Sequence, residues 1–126
     1  MYKNRQRLCI INRFGGSFKV IKYSENGQII REEWYRNGLL HREGGPAVII
    51  YWNNNNKSFE KWYRNGLLHR ENGPASVTYY RDGQVEIETW YNDNKLHRDG
   101  GPAHVEYSEE GKKIKEEWYK DDVRIG

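Results

Sequence analysis

Three residue types in this chain have an identity and a spacing that suggest chemistry. His41, His69 and His97 fall 28 residues apart, and each is followed by an arginine: Arg42, Arg70 and Arg98. Glu32, Glu60, Glu88 and Glu116 keep the same interval. Imidazoles ligate metals, paired carboxylates can serve hydrolysis, and a guanidinium beside an imidazole suits phosphate through its bidentate fork. A metal is the poorest match. Histidines two strands apart in a sheet would sit about 9.6 Å from one another, pointing the same way. Zinc needs its nitrogens about 2.0–2.1 Å from one ion. Cys9 is the only cysteine, and no His-x-x-x-His spacing occurs. The residues therefore predict no metal and no cofactor. The glutamates recur in every copy, which predicts a structural role, as cross-strand partners of arginine or acceptors for turn and indole N–H groups. No Gly-x-Ser-x-Gly, P-loop or Cys–His constellation is present, so no catalytic residue is assigned and no enzyme is expected.

The interval is a stronger signal than any single residue. Trp34, Trp62, Trp90 and Trp118 share it, as do Pro46, Pro74 and Pro102. A fixed period in this range marks a repeat architecture. The expected units are about 19–46, 47–74 and 75–102, with a last partial unit at 103–126. Residues 1–18 read as a degenerate half-repeat or cap: Ile10 to Ser17 aligns without gaps on Leu39 to Pro46, with Asn12 for the His and Ser17 for the Pro. After Tyr119 the pattern fades into Asp121-Asp122-Val123-Arg124-Ile125, which predicts either a second cap or the cut end of a longer protein.

Each period holds two β-prone runs and two turns. One turn falls at Asn26-Gly27, Asn54-Asn55, Asp82-Gly83 and Glu110-Gly111, the other at Asn37-Gly38, Asn65-Gly66 and Asp93-Asn94. Such pairs are the strongest local hairpin signals, because both central residues of a type I′ turn need positive φ. No sustained helical period competes. The expected fold is all-β, a single elongated, twisted antiparallel meander of stacked hairpins with about eight or nine strands.

Treating every turn as a two-residue loop sets a trial register. Trp62 then lies opposite His69 and Lys61 opposite Arg70, while Val77, Tyr79, Glu88 and Trp90 share a face. On that face Ile21, Ile49, Val77 and Val105 recur, with Tyr23, Tyr51, Tyr79 and Tyr107 and the four tryptophans. This is the expected structural core. The other face varies. Its middle units carry Ile50, Trp52, Phe59, Tyr80, Val85 and Ile87, where the outer units carry Lys22, Ser24, Glu106, Ser108, Lys113 and Lys115. Apolar residues ringed by charge have the form of a binding patch. They equally suit the second side of a sheet. The arginines likewise have two readings, ligand-binding or pairing with Glu33, Glu43, Glu71 and Asp99.

The chain has 126 residues, about one domain, with 36% hydrophobic but 14% aromatic residues. A lone cysteine allows no intrachain disulfide, and the longest early apolar run, Leu8 to Ile11, is too short for a signal core or a membrane span. These features predict a cytoplasmic protein. Lys3, Arg5, Arg7, Arg13, Lys19 and Lys22 precede the first acidic residue, Glu25. That basic end is either a solvated terminus or a contact for nucleic acid, membrane or phosphate. Elsewhere 18 acidic residues interleave the 21 basic ones, which disfavours extended nucleic acid.

The pattern Trp-Tyr-x-Asn-Gly-x-Leu-His-Arg-x-x-Gly-Pro-Ala, followed by Val-x-Tyr and Glu-x-Trp, resembles the MORN repeat over about residues 10 to 120. It departs from that family in its 28-residue period and in Gly-Pro-Ala where the family has Gly-x-Gly. The resemblance implies a non-catalytic binding module of phage, viral or bacterial origin, in the host cytoplasm in the first two cases. The resemblance itself assigns no site; the residue pattern does, and the expected partner is a protein, another copy included, held on Trp52, Phe59, Tyr80 and Ile87 with the His-Arg pairs at the edge. Three alternatives stand beside it: sequestration of a phosphorylated small molecule such as a nucleotide immune signal, an antitoxin-like role, and a membrane-surface scaffold.

Overall fold

Two kinds of turn alternate along the chain and set its architecture. The computed structural model describes residues 16–126 in full and residues 7–14 as backbone; the proposed cap residues 1–6 and 15 lie outside the described residues. The short turns are type I′, with both central φ values positive: 51° and 78° at Asn37-Gly38, 49° and 82° at Asn65-Gly66, 47° and 69° at Asp93-Asn94. Asp121-Asp122 follows with 46° and 69°. The last unit therefore keeps the hairpin although its sequence departs from the Asn-Gly pattern, since aspartate tolerates the left-handed region.

The long turns differ from the two-residue loops assumed from sequence. Gly27 N–H donates to Ser24 O at 3.0 Å and Ser24 N–H to Gln28 O at 2.8 Å, and the same pair of bonds recurs at Trp52, Tyr80 and Ser108. Only the third loop residue has positive φ: Gly27, Asn55, Gly83 and Gly111. This is a type I turn closed by a left-handed residue in a G1 bulge. A second irregularity then restores the register. Tyr79 pairs with Val85, but Thr78 pairs with Ile87 and Val77 with Glu88. The extra loop residue and the bulge at Glu86 cancel, so the body of each hairpin keeps the register expected from a shorter turn.

The strands are β1 (Arg7–Phe14), β2 (Ser17–Tyr23), β3 (Ile29–Arg36), β4 (Leu39–Leu40), β5 (Val48–Tyr51), β6 (Lys57–Lys61), β7 (Tyr63–Arg64) and β8 (Leu67–Leu68), then β9 (Ser76–Tyr79), β10 (Val85–Thr89), β11 (Tyr91–Asn92), β12 (Lys95–Leu96), β13 (His104–Tyr107), β14 (Lys113–Glu117), β15 (Tyr119–Lys120) and β16 (Val123–Arg124). Nine of them form one open antiparallel meander in the order β1-β2-β3-β5-β6-β9-β10-β13-β14. β4 pairs with the end of β3, while β7–β8, β11–β12 and β15–β16 stand apart as two-stranded hairpins. The described residues contain no helix, hence none long and apolar enough to cross a membrane. β1 is a full strand rather than a copy of the short hairpin arm and its loop. Ser17 replaces the proline there and keeps the N–H that a strand residue needs.

Trp34, Trp62 and Trp90 are the branch points between sheet and side hairpin. Trp62 N–H donates to Ala75 O at 2.7 Å, on the meander side, while its C=O accepts His69 N–H at 3.1 Å, on the hairpin side. Trp62 is therefore opposite His69 as expected. Lys61 is not opposite Arg70: it pairs with Val48 and Ser76, because the chain has already turned into the meander.

Most of the core is one cross-strand row in which aliphatic side chains and carboxylates alternate: Ile21, Glu32, Ile49, Glu60, Val77, Glu88, Val105, Glu116. On the opposite face Val48 is also buried, paired with Glu33 near the short-turn end. Ile21, Ile49, Val77 and Val105 are buried, and each such side chain contributes about 1.5–3 kcal/mol by leaving water. The carboxylates between them accept neither arginine nor indole, as the sequence suggested, but tyrosine hydroxyls. Tyr51 donates to Glu32 at 2.5 Å, Tyr79 to Glu60, and Tyr107 to Glu88 at 2.8 Å. Ala47, Ala75 and Ala103 are fully buried where the meander resumes. Their recurrence after Gly-Pro was the available signal for that role.

Candidate functional site

The His-Arg-x-x-Gly-Pro-Ala segment is a loop wrapped around its own arginine. Arg42 stacks on Trp34 with its guanidinium carbon 3.8 Å from the ring centroid, Arg70 on Trp62 at 3.9 Å, and Arg98 on Trp90 at 3.9 Å. The Nη1 atoms donate to the carbonyls of Pro46, Pro74 and Pro102 at 3.1, 3.2 and 3.1 Å. The glycine before each proline touches the guanidinium; a Cβ on Gly73 would stand 2.7 Å from the Arg70 guanidinium carbon. Position 126, where a fourth arginine would fall, is Gly126, and Trp118 is correspondingly 39% exposed.

None of the carboxylates considered from sequence pairs with Arg42, Arg70 or Arg98. Glu33 binds Arg31 at 2.7 Å, Glu43 binds His41, Glu71 binds Arg64, and Asp99 binds Lys120 at 2.6 Å. The stacked tryptophan and the proline carbonyl have taken their place. A partly desolvated stack of this kind is worth about 1–2 kcal/mol, more than an exposed ion pair at about 0–1 kcal/mol.

The histidines link neighbouring units. Nδ1 of His41 accepts Asn65 N–H at 2.9 Å, Nδ1 of His69 accepts Asp93 N–H at 3.3 Å, and Nδ1 of His97 accepts Asp121 N–H at 3.2 Å. Each Nε2 faces the carboxylate two residues on, at 2.5 Å for Glu43, 3.3 Å for Glu71 and 3.4 Å for Asp99. The His41 bond holds the Glu43 carboxyl below its ordinary value, and Lys120 does the same for Asp99. Both ring nitrogens are thus engaged.

Between successive loops lie two related cavities, of about 440 and 650 Å³, and a third of about 260 Å³ lies between β2 and the first loop. The largest has His69, Arg70 and Glu71 on one wall and Trp90, Arg98 and Asp99 on the other. Its two guanidinium groups are matched by two carboxylates, so it offers a phosphate little net attraction.

The opposite face carries a second row: Lys22, Arg31, Ile50, Phe59, Thr78, Ile87, Glu106, Lys115. Ile50, Phe59 and Ile87 are half-buried. Trp52 and Tyr80 extend the row at the long-turn end, each tied to the next unit: Trp52 Nε1 donates to Tyr79 O at 3.3 Å and the Tyr80 hydroxyl to Tyr107 O at 2.7 Å. Lys61 lies over Phe59 at 5.4 Å and Arg81 over Trp52 at 5.0 Å. Thr78 Oγ1 is buried with no hydrogen-bond partner among the described residues.

Two sequence-derived placements are corrected. Val85 pairs directly with Tyr79 and shares its face, because the bulge at Glu86 intervenes before Ile87. The His-Arg pairs do not edge the aromatic patch. Lys19 contacts both Glu32 and Trp34, which puts Trp34 and the arginine stacked on it on the core face. The loops also follow the short turns, whereas Trp52 and Tyr80 flank the long ones. Patch and loops therefore occupy opposite faces and opposite strand ends. The most exposed large apolar residues lie on neither: Leu39 and Leu67 are on short hairpins, and Ile114, Trp118, Val123 and Ile125 are in the last unit.

No protein-family model, curated protein or solved structure matches the chain.

Proposed function

We propose that the chain is a MORN-like, non-enzymatic binding module that captures a protein partner on the face bearing Ile50, Trp52, Phe59, Tyr80 and Ile87. One observation carries this reading. At a single position of the repeat the chain places Arg31, Phe59, Ile87 and Lys115, and at another Lys22, Ile50, Thr78 and Glu106. The backbone register is the same in every unit, so the fold tolerates charge at both positions. The apolar choices in the two middle units serve something other than the fold, and a central apolar patch with a charged rim suits a protein surface. Sequestration of a phosphorylated small molecule has less support, since the arginines are clamped and their cavities charge-balanced. The cytoplasm of a bacterium, or of the host of a phage or virus, is the compartment this reading assigns.

The test uses the chain's own substitutions. The double variant Phe59→Arg with Ile87→Lys places on the middle units what the outer units already carry. Its circular dichroism and melting temperature should match the parent while the proteins retained by the immobilised parent are lost. Retention of the same proteins by the variant would overturn the reading.

A further inference from the structure

Charge is distributed along the stack in a way that the net value of +3 conceals. Residues 16–70 carry nine Lys and Arg against five Asp and Glu, and residues 71–126 carry eight against thirteen. The meander visits its strands in sequence order, so this asymmetry becomes a dipole along the stacking direction. The apolar patch sits at its centre, with Lys22 and Arg31 on one side and Glu106 on the other. Near Tyr80, desolvation and the carboxylates of Glu86, Glu109, Glu110 and Glu106 together raise the hydroxyl above its ordinary value. The acidic half therefore reaches the patch itself.

We propose that the occupant of this face is a second copy of the same chain, packed face to face about a two-fold axis parallel to the strands and lying between β6 and β9. The inference rests on the reading of the face as a protein-docking surface. Rotation about that axis reverses the stacking direction and keeps each cross-strand row on itself. Phe59 then meets the partner's Thr78, and Ile50 meets the partner's Ile87. Arg31 falls over the partner's Glu106. The basic half of each copy covers the acidic half of the other, as a closed isologous contact requires. Two sheets in this relation bury their inner faces at about 10 Å separation. The outermost pair, Lys22 with the partner's Lys115, is unfavourable; twist between the sheets separates the rims more than the centre. Six strands give a footprint on the order of 500 Å² per copy, at the small end for specific interfaces, so dissociation constants on the order of 10–100 µM are expected.

Sedimentation equilibrium of the full chain, with Arg31→Glu and Glu106→Lys made separately, tests the proposal. Each variant sets like charges together twice in its own dimer and should raise the dissociation constant about tenfold or more. An equimolar mixture of the two restores both attractive pairs and should form a heterodimer about as tight as the parent dimer. Association of the parent should also weaken with added salt. A parent that stays monomeric through this concentration range overturns the proposal. So does a parent dimer indifferent to both charge reversals, or a mixture that fails to pair. If the parent is monomeric yet loses retained proteins on Phe59→Arg with Ile87→Lys, the docking face stands and only the second copy is excluded. If neither association nor retention changes, both readings fail.

Discussion

Nδ1 of His41 accepts the backbone N–H of Asn65, 24 residues further on, at 2.9 Å. An amide can only donate, so Nδ1 carries the lone pair and the ring proton sits on Nε2, facing Glu43 at 2.5 Å. The same side chain that ends one short hairpin thereby caps the turn of the next. A column that resembles a metal site in the sequence is a set of joints between repeats.

Removing a joint should cost stability in proportion to its burial. The side chains of His41, His69 and His97 are 4%, 9% and 18% exposed. His41→Ala leaves the Asn65 amide without its acceptor and should cost about 1–3 kcal/mol. His69→Ala should cost less and His97→Ala least. Urea unfolding of the three variants checks the order; equal losses would show that burial does not set the strength of the joint.

Gly73→Ala should be destabilising although the residue has no positive φ. The added Cβ would stand 2.7 Å from the Arg70 guanidinium carbon, forcing the arginine off Trp62 at a cost of about 1–3 kcal/mol. Adding Arg70→Ala removes the obstacle. The double variant should therefore be clearly less destabilised than the sum of the singles, which a double-mutant cycle reads directly.

Stability should fall on both sides of neutrality for opposite reasons. Burial and the bonds to Glu32 and Glu60 push the Tyr51 and Tyr79 hydroxyls well above the ordinary value of 10.0. A group raised on folding contributes stability that is complete below pH 10 and is lost as pH rises towards its folded value. Burial pushes the Glu32 carboxyl up, but Lys19 and Tyr51 outweigh it and hold the group below 4.5. Its contribution is present above pH 4.5 and is lost as pH falls. Melting temperature against pH should show a plateau between these limits. Tyr51→Phe should flatten the alkaline decline, and ultraviolet titration should find late-ionising tyrosines in the folded protein.

The two faces should respond oppositely to substitution. Val77 is 5% exposed in the core row, and Val77→Ala should cost about 2 kcal/mol. Phe59→Arg lies one strand away on the other face and copies Arg31, so its effect on unfolding should stay within about 1 kcal/mol. A large loss for Phe59→Arg would make that face part of the scaffold.

The 28-residue interval, the hairpin turns and the core row are properties of local residue choice repeated along the chain, and they were legible without coordinates. Asn and Gly in a short turn, alternation along a strand and tryptophan at a constant interval each leave the chain few alternatives. The arginine's partner was not legible. Spacing places Arg70 one residue from Glu71, yet the guanidinium reaches Trp62 and Pro74 because the loop between them closes on it. Nor could spacing separate the aromatic patch from the His-Arg loops: a bulge at Glu86 and the branches at Trp34, Trp62 and Trp90 put them on different faces and ends. Repetition constrains what is local, whereas the competition among partners for one guanidinium, or between a two-residue and a three-residue turn, is resolved only when distant strands meet.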